Sequence, residues 1–210
     1  MASPRARVLT AFLMCSAVTA APQMAARSFS TNPKAEGQVT ETQSGADAAF
    51  VYRNARLGFT YQVRYGWVER TKQMQGTDPQ KAQVLLAVFE RPPEVSGDTV
   101  NSAVLIAMES AATYPGLKTA ADYLGPLTEL AVSKGFKAVE DPYEVEIGDR
   151  WLPRADFSKQ RGSLTMRQSS LVMLAKGSLV SFTFIGGSGD DIEELIEGLR
   201  FAAVKANRSK

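Results

Sequence analysis

The 210-residue sequence contains no histidine, and its only cysteine is Cys15, inside the apolar stretch near the N-terminus. Without these side chains a chain cannot form the common zinc sites, Ser-His or Cys-His nucleophile pairs, or the usual haem ligation. Lysine can replace histidine as a base, but no Ser-x-x-Lys motif occurs. Carboxylate, lysine, tyrosine and oxygen-ligand metal chemistry remain open. We therefore expect a protein that is not an enzyme and that holds no metal or cofactor.

The sequence also lacks a basic surface. Of its 24 Lys and Arg residues, Arg5 and Arg7 lie in the first twenty positions, which leaves 22 basic against 22 acidic residues. Phosphate binding needs a basic stripe, so we expect no nucleic-acid partner. The length and the 44% apolar composition fit one globular domain with extensions.

The N-terminus has the features of a targeting segment. It opens with two arginines, continues with an apolar run from Val8 to about Ala21, and has no acidic residue before Glu36. These features predict a secretory signal peptide over residues 1–21 and a periplasmic or extracellular protein. An Arg-rich, Ser-rich, acid-free start is also typical of a mitochondrial presequence, which is the alternative. The run is short for a membrane span, so we expect no stable transmembrane segment after cleavage.

Residues 22–49 contain hardly any large apolar side chain. Such a segment cannot bury enough surface to order itself, so it is predicted to be a flexible linker. The folded domain is expected over residues 50–204, and residues 205–210 are expected to be a tail.

The stretch "LGFTYQVRYGWVER" (57–70) predicts a strand. Its large side chains, from Leu57 to Trp67, occupy every odd position. Alternation with period two is typical of a half-buried strand, so the odd-numbered row is expected to face the core. Arg64 then points away from the aromatic rings, which argues against a base-stacking surface.

Further elements follow from the same periodicities. Two continuous apolar runs, 84–90 and 102–110, predict central strands that are covered on both faces. Residues 119–135 change to a helical period, with Thr119 and Asp122 at capping-box spacing. Pro126 lies inside this helix and is expected to kink or divide it.

The C-terminal third predicts a hairpin and a helix. Lys176 and Gly177 form the turn of the hairpin, whose strands cover 171–175 and 179–185. Ser188 is the expected N-cap of the last helix. The order strands-helix-strands-helix predicts an α+β fold with an antiparallel sheet flanked by helices.

In the order and pattern of these elements, the chain resembles the PsbP-like fold of the photosystem II extrinsic-subunit superfamily. The resemblance covers roughly residues 50–203 and rests on "GFTYQVRYGW", "TAADYLGPLTELAVSKG" and "SFTFIGGSGDDIEELIEGLRF". A proline usual before the Gly-Trp turn is replaced here by Arg64-Tyr65, and the histidines that bind metal in some members have no counterpart. The resemblance implies an exported, non-enzymatic binding or assembly module.

Three local clusters are candidate sites. "FIGGSGDDIEEL" is better explained by helix capping than by phosphate binding, because Asp190 and Asp191 would repel a phosphate. Glu144 and Glu146 lie two apart on one strand face, where they fit either a hard cation or a charged edge strand. The remaining cluster is the local basic enrichment, interpreted as a docking surface for an acidic partner or lipid headgroups: Arg150, Trp151, Arg154, Lys159, Arg161 and Arg167.

Two functions follow as hypotheses. The first is a non-enzymatic exported interaction or assembly module with a protein partner. The alternative is a binder of a small apolar or lipidic ligand between the sheet and the helices, with Phe59, Tyr61 and Trp67 lining the pocket.

Overall fold

The computed structural model describes residues 38–40, 50–76 and 82–202. These residues form two antiparallel sheets with three α-helices. The helices are α1 (Thr71–Met74), α2 (Leu124–Ser133) and α3 (Gly189–Ile196). The strands are β1 (Gln38–Thr40), β2 (Val51–Asn54), β3 (Phe59–Gln62), β4 (Val68–Glu69), β5 (Gln83–Phe89), β6 (Ala103–Ser110), β7 (Lys137–Ala138), β8 (Tyr143–Ile147), β9 (Arg150–Arg161), β10 (Leu164–Ala175), β11 (Ser178–Gly186) and β12 (Leu199–Phe201).

The large sheet has the order β4-β5-β6-β11-β10-β9-β7, and β8 also pairs with β9. The small sheet has the order β1-β2-β3-β12. The predicted α+β class, with antiparallel strands and flanking helices, is therefore confirmed.

The large sheet is covered on both faces in its centre. One face packs against the small sheet and α3, where the rings of Phe59 and Phe182 meet edge to face with centroids 5.1 Å apart. The other face packs against α2, where Leu127 contacts the cluster of Phe157 and Val172. We call these the α3 face and the α2 face. Burial on both sides explains the continuous apolar runs of β5 and β6, as predicted.

The strand predicted over the opening stretch is shorter than expected. Leu57, Phe59, Tyr61 and Val63 are buried, but β3 ends at Gln62. The chain then turns through Gly66, whose φ of 77° suits glycine. The expectation that Tyr65 faces the core is wrong, because beyond this turn Tyr65 is 70% exposed. Trp67 lies just after the turn and is only half-buried.

The helix predicted over residues 119–135 is divided in the structure. A 3₁₀ turn over Ala121–Tyr123 comes first, and α2 begins at Leu124. Pro126 is thus the third residue of α2, where a backbone N–H would have no partner within the helix. The helical segment predicted over residues 119–135 ends as expected, since α2 ends at Ser133, its C-cap is Lys134, and Gly135 has a φ of 84°.

The predicted C-terminal elements are confirmed. The turn of the β10–β11 hairpin is Lys176 and Gly177, both with positive φ. Ser188 caps α3: its hydroxyl accepts from the N–H of Asp191, whose carboxylate accepts from the N–H of Ser188.

The predicted signal peptide, the predicted tail and most of the predicted linker lie outside the described residues. Within residues 22–49, the structure describes the strand β1, which pairs with β2. The domain limits therefore stay predictions. In the described part of the chain, no helix has the length and apolarity needed to cross a membrane.

Candidate interaction site

The six residues predicted to bind a partner lie on two opposite faces of the large sheet. Five are on β9, where alternation directs odd- and even-numbered side chains to opposite sides. Ala155 and Phe157 belong to the α2 face, and Leu152 to the α3 face. Trp151, Lys159 and Arg161 are therefore on the α2 face, whereas Arg150 and Arg154 are on the α3 face. Arg167, opposite Ser158 on β10, shares the α3 face.

Arg154 is only 7% exposed and belongs to an internal ion-pair network. Its Nε is 2.9 Å from Asp156 Oδ1, and its second terminal nitrogen is 2.6 Å from Glu193 Oε1 on α3. Burial alone lowers the pKa of Arg154, but the hydrogen bonds to Glu193 and Asp156 outweigh it and raise that pKa. Arg154 thus ties β9 to α3, and its charge is paired with two carboxylates of the protein itself.

The other basic residues of this set differ in their availability. Lys159 Nζ donates to the carbonyl oxygen of Lys134 at 2.6 Å. The guanidinium of Arg150 lies 4.9 Å from the ring centroid of Phe201. Arg161 and Arg167 are exposed, but on opposite faces. The six residues therefore do not form one basic surface, although their binding to a partner stays a prediction.

Trp151 and Arg150 lie where the sheet opens. The registered pairing of β9 with β10 ends at Arg154↔Leu171. Beyond it, the first residues of β9 pair only with β8, as far as Arg150, and the last residues of β10 pair only with β11. The inner edges of β9 and β10 are thus unpaired with each other over this short stretch.

Pro153 explains why the ladder ends there. Alternate residues of an antiparallel strand direct their hydrogen-bonding groups to the same neighbour. Counted from the two-residue turn at Gly162 and Ser163, the odd-numbered residues of β9 direct their backbone N–H and C=O groups toward β10. Pro153 is one of them, and it has no N–H to donate.

A cleft of about 410 Å³ lies at this opening. We call it the Trp151 cleft. Leu152, Val172 and Met173 are buried and form its floor. Trp151 and Leu174, which are 62% and 37% exposed, lie at its border. The cleft is lined by Ala120, Arg150, Trp151, Leu152, Val172, Met173 and Leu174.

The border on the β8 side is acidic. Trp151 is the cross-strand partner of Glu146, and Pro153 is that of Glu144. Partners in an antiparallel pair point to the same face, so both carboxylates share the face of Trp151. Both are exposed, as expected for a charged edge strand. Among the described residues, no group of three or more metal-binding side chains is placed to hold an ion.

A half-buried carboxylate fixes the segment that leads to Ala120. Glu109, on β6, accepts hydrogen bonds from the hydroxyls of Tyr123 at 2.7 Å and Tyr114 at 2.5 Å. Burial and the nearby Glu109 carboxylate raise the pKa of both phenols well above their usual range. These contacts hold the residues before α2 against the sheet, so this side of the cleft is preformed.

A second cleft of about 360 Å³ lies on the outer side of the small sheet. Thr60, Gln62 and Arg200 contribute to its lining, and Arg64 forms an ion pair with Glu194 beside it at 3.0 Å. Phe59 and Trp67 line neither cleft, and Tyr61 lines only this second one. The expected apolar pocket along these three residues is therefore not among the two clefts described here.

Comparisons with known proteins describe a likeness of fold. No protein-family model and no curated protein matches the sequence. The structure is similar to cyanobacterial PsbP from Synechocystis, with 16% identity over 77% of this chain and 98% of that chain, at a TM-score of 0.48. The predicted resemblance to the PsbP-like fold is found in the structure as well.

Two further structures are similar over parts of the chain. One is LpqN, involved in cell envelope biogenesis of Mycobacterium tuberculosis, with 9% identity over 65% of this chain and 91% of that chain, at a TM-score of 0.35. The other is a Pseudomonas aeruginosa protein of unknown function, with 17% identity over 48% of this chain and 68% of that chain, at a TM-score of 0.34. At these identities, no function is transferred from either of them.

The sequence indicated only part of the Trp151 cleft. It singled out Arg150 and Trp151 by local basic enrichment, but missed Ala120 and Leu174, which come from other elements. Pro153 did not enter the prediction, but it could have indicated the opening because a proline within a strand interrupts a ladder.

Proposed function

We propose that this protein is a non-enzymatic interaction module that is exported and binds a partner protein at the Trp151 cleft. The observation that carries the proposal is the exposed indole of Trp151 beside the opening between β9 and β10. Tryptophan is enriched among the residues that supply most of the binding energy at interfaces. Leu174 extends the apolar surface on the adjoining strand.

The site is suited to binding because it is rigid before a partner arrives. Trp151 is held in the β8–β9 hairpin by pairing on both sides of its position, and the cleft floor is buried core. A preformed site loses little conformational entropy on association. The absence of histidine from the sequence supports a binding role over catalysis. Export rests on the N-terminal sequence features alone.

Site-specific photocrosslinking tests this function. A photoreactive residue replaces Leu174 in the full-length protein, expressed in its own host. We expect one crosslinked product of defined mass that disappears when Trp151→Ala is added, while the melting temperature is unchanged. A photoreactive residue at Arg200, on the outer side of the small sheet, is the matched control. The absence of a product at position 174, or a product that persists in Trp151→Ala, would overturn the proposal.

The alternative function, binding of a small apolar or lipidic ligand between sheet and helices, has less support. The volume of the Trp151 cleft is within the usual range for ligands, roughly 300–1,000 Å³. However, the core between the sheet and α2 is filled by packed side chains such as Leu127 and Phe157. Native mass spectrometry of the purified protein tests it, since a bound ligand adds a fixed mass that denaturation removes.

A further inference from the structure

We infer that the partner segment bound at the Trp151 cleft carries a cationic side chain, which lies against the indole of Trp151 and is paired with Glu146 and Glu144. This inference rests on the proposed interaction function and specifies its partner chemistry. The occupant is a protein segment in which a Lys or Arg is adjacent to an apolar residue.

The cation–π contacts of β9 are the first observation that supports a cationic partner. Three basic residues of this strand each lie near a ring of the protein itself: Arg150 at Phe201, Arg154 at Tyr143 and Lys159 at Phe136, with distances of 4.9, 5.5 and 5.6 Å to the centroids. Trp151 is on the same strand and has the ring type that binds cations best. No cation of the described residues lies against it. A cation for this indole would have to come from outside the described residues.

The negative charge around Trp151 is the second observation that supports a cationic partner. Residues 138–149 contain five acidic and no basic side chains: Glu140, Asp141, Glu144, Glu146 and Asp149. Neither Glu144 nor Glu146 forms an ion pair with another described residue. Arg150 does not neutralise them, because its guanidinium contacts Phe201 and Met173 on the α3 face. In the adjoining segments, Lys118 and Lys176 are two positions in sequence from Ala120 and Leu174, and neither lysine lines the cleft.

The geometry of the pair Glu146 and Trp151 is the third observation that supports a cationic partner. Glu146 and Trp151 are cross-strand partners, so their Cβ atoms are roughly 4.5–5.5 Å apart on one face. A cation within about 6 Å of the indole centroid is therefore also within reach of the Glu146 carboxylate. Glu144, two residues along the same strand, is the next acceptor.

A purely apolar partner fits this surface less well. It would cover Trp151 and Leu174 but would also remove water from the neighbouring carboxylates without supplying a partner, and desolvated unpaired charges are costly. A metal ion shared by Glu144 and Glu146 alone would have only two protein ligands. A Lys or Arg beside an apolar side chain satisfies both the ring and the carboxylates.

The test uses two short peptides that differ in one charge. The probes are the amidated peptides Gly-Leu-Arg-Leu-Gly and Gly-Leu-citrulline-Leu-Gly, in which citrulline is the neutral isostere of arginine. Binding is followed by the indole N–H resonance of Trp151 in ¹⁵N-labelled full-length Trp67→Phe protein, which leaves one tryptophan signal. We expect the arginine peptide to shift this resonance at millimolar concentrations and to bind about tenfold more tightly than the citrulline peptide.

The double variant Glu144→Gln/Glu146→Gln is the second arm. Both positions are exposed, so we expect the fold to be unchanged and the arginine peptide to bind as weakly as citrulline does. High salt should likewise reduce the preference of the wild-type protein for the arginine peptide over the citrulline peptide. Equal affinity for the two peptides, no shift with the arginine peptide, or an unchanged preference in the double variant would overturn the inference. Crosslinking from position 174 would still succeed in that case, so the two failures are distinguishable.

Discussion

The hydroxyl of Tyr61 donates a hydrogen bond to the carbonyl oxygen of Leu195 at 3.1 Å. This contact joins the strand β3 to the end of α3 through two residues that are 134 positions apart in the sequence. Gly198 lies two residues beyond the end of α3, and a Cβ there would lie 3.0 Å from the Tyr61 ring and 3.1 Å from the carbonyl oxygen of Gln62. The small sheet and α3 therefore meet at one tightly packed point.

We expect Tyr61→Phe to lower the free energy of unfolding by about 1 kcal/mol, because it removes a buried hydrogen bond and leaves the Leu195 carbonyl without that donor. Tyr65→Phe is the matched control, since Tyr65 is 70% exposed. Chemical denaturation monitored by circular dichroism measures both. An equal effect of the two substitutions would contradict the buried role of the Tyr61 hydroxyl.

We expect Gly198→Ala to destabilise the protein by about 1–3 kcal/mol, because the added methyl group has no room beside Tyr61 and Gln62. Gly189→Ala provides the comparison: it is the first residue of α3, and a Cβ there meets nothing within 4 Å. The difference between their denaturation midpoints reports the crowding. Similar midpoints would show that the chain relaxes around residue 198.

Trp67→Ala should cost less stability than Phe59→Ala. The Phe59 side chain is fully buried between the sheets, so its truncation is expected to cost about 3–5 kcal/mol. Trp67 is half-buried at the edge of the same cluster and loses fewer contacts. Urea unfolding of both variants decides the order. A larger loss for Trp67→Ala would mean that its ring supports the core more than its burial indicates.

Stability should fall at alkaline pH. Burial, the first cause in each case, raises the pKa of Tyr61, Tyr114 and Tyr123 above the ordinary value of about 10. As the pH rises above about 10, the unfolded chain loses these phenolic protons while the folded protein keeps them. Stability from these groups is therefore complete below pH 10 and decreases above it.

Urea midpoints measured between about pH 8 and pH 11 test this dependence. Lysine also titrates in this range, so the decrease must be compared with that of Tyr123→Phe, which has one phenol fewer. The variant should show a shallower decrease. Identical slopes would exclude Tyr123 as a contributor.

Local patterns predicted most elements correctly because the signals lie within a few residues of one another. The hairpin at Lys176 and Gly177 and the N-cap at Ser188 depend on turn and capping geometry that short segments specify. Periodicity failed where the chain turned: the odd-numbered row continues to Trp67, but the strand stops at Gln62. An alternation of side chains with period two does not show where the strand stops pairing with its neighbour in the sheet.

The Trp151 cleft was only partly predictable for a similar reason. Neighbours in sequence, such as Arg150 and Trp151, point to opposite faces of the sheet. Basic residues that are close in sequence therefore do not form one surface. Arg154 looked like a free charge in the sequence, but Glu193 on α3 neutralises it across the fold. Leu174 and Ala120 reach the cleft only through the pairing of strands and the docking of α2.

The sequence by itself determined the chemistry that this protein lacks and the class of its fold, because composition and hydrophobic period depend on residue identity alone. Only the tertiary structure decided which charged side chains are paired with one another inside the protein, and that the sheet opens at Pro153. Those features depend on register between distant strands. Register follows from the packing of the whole core, and no single segment contains it.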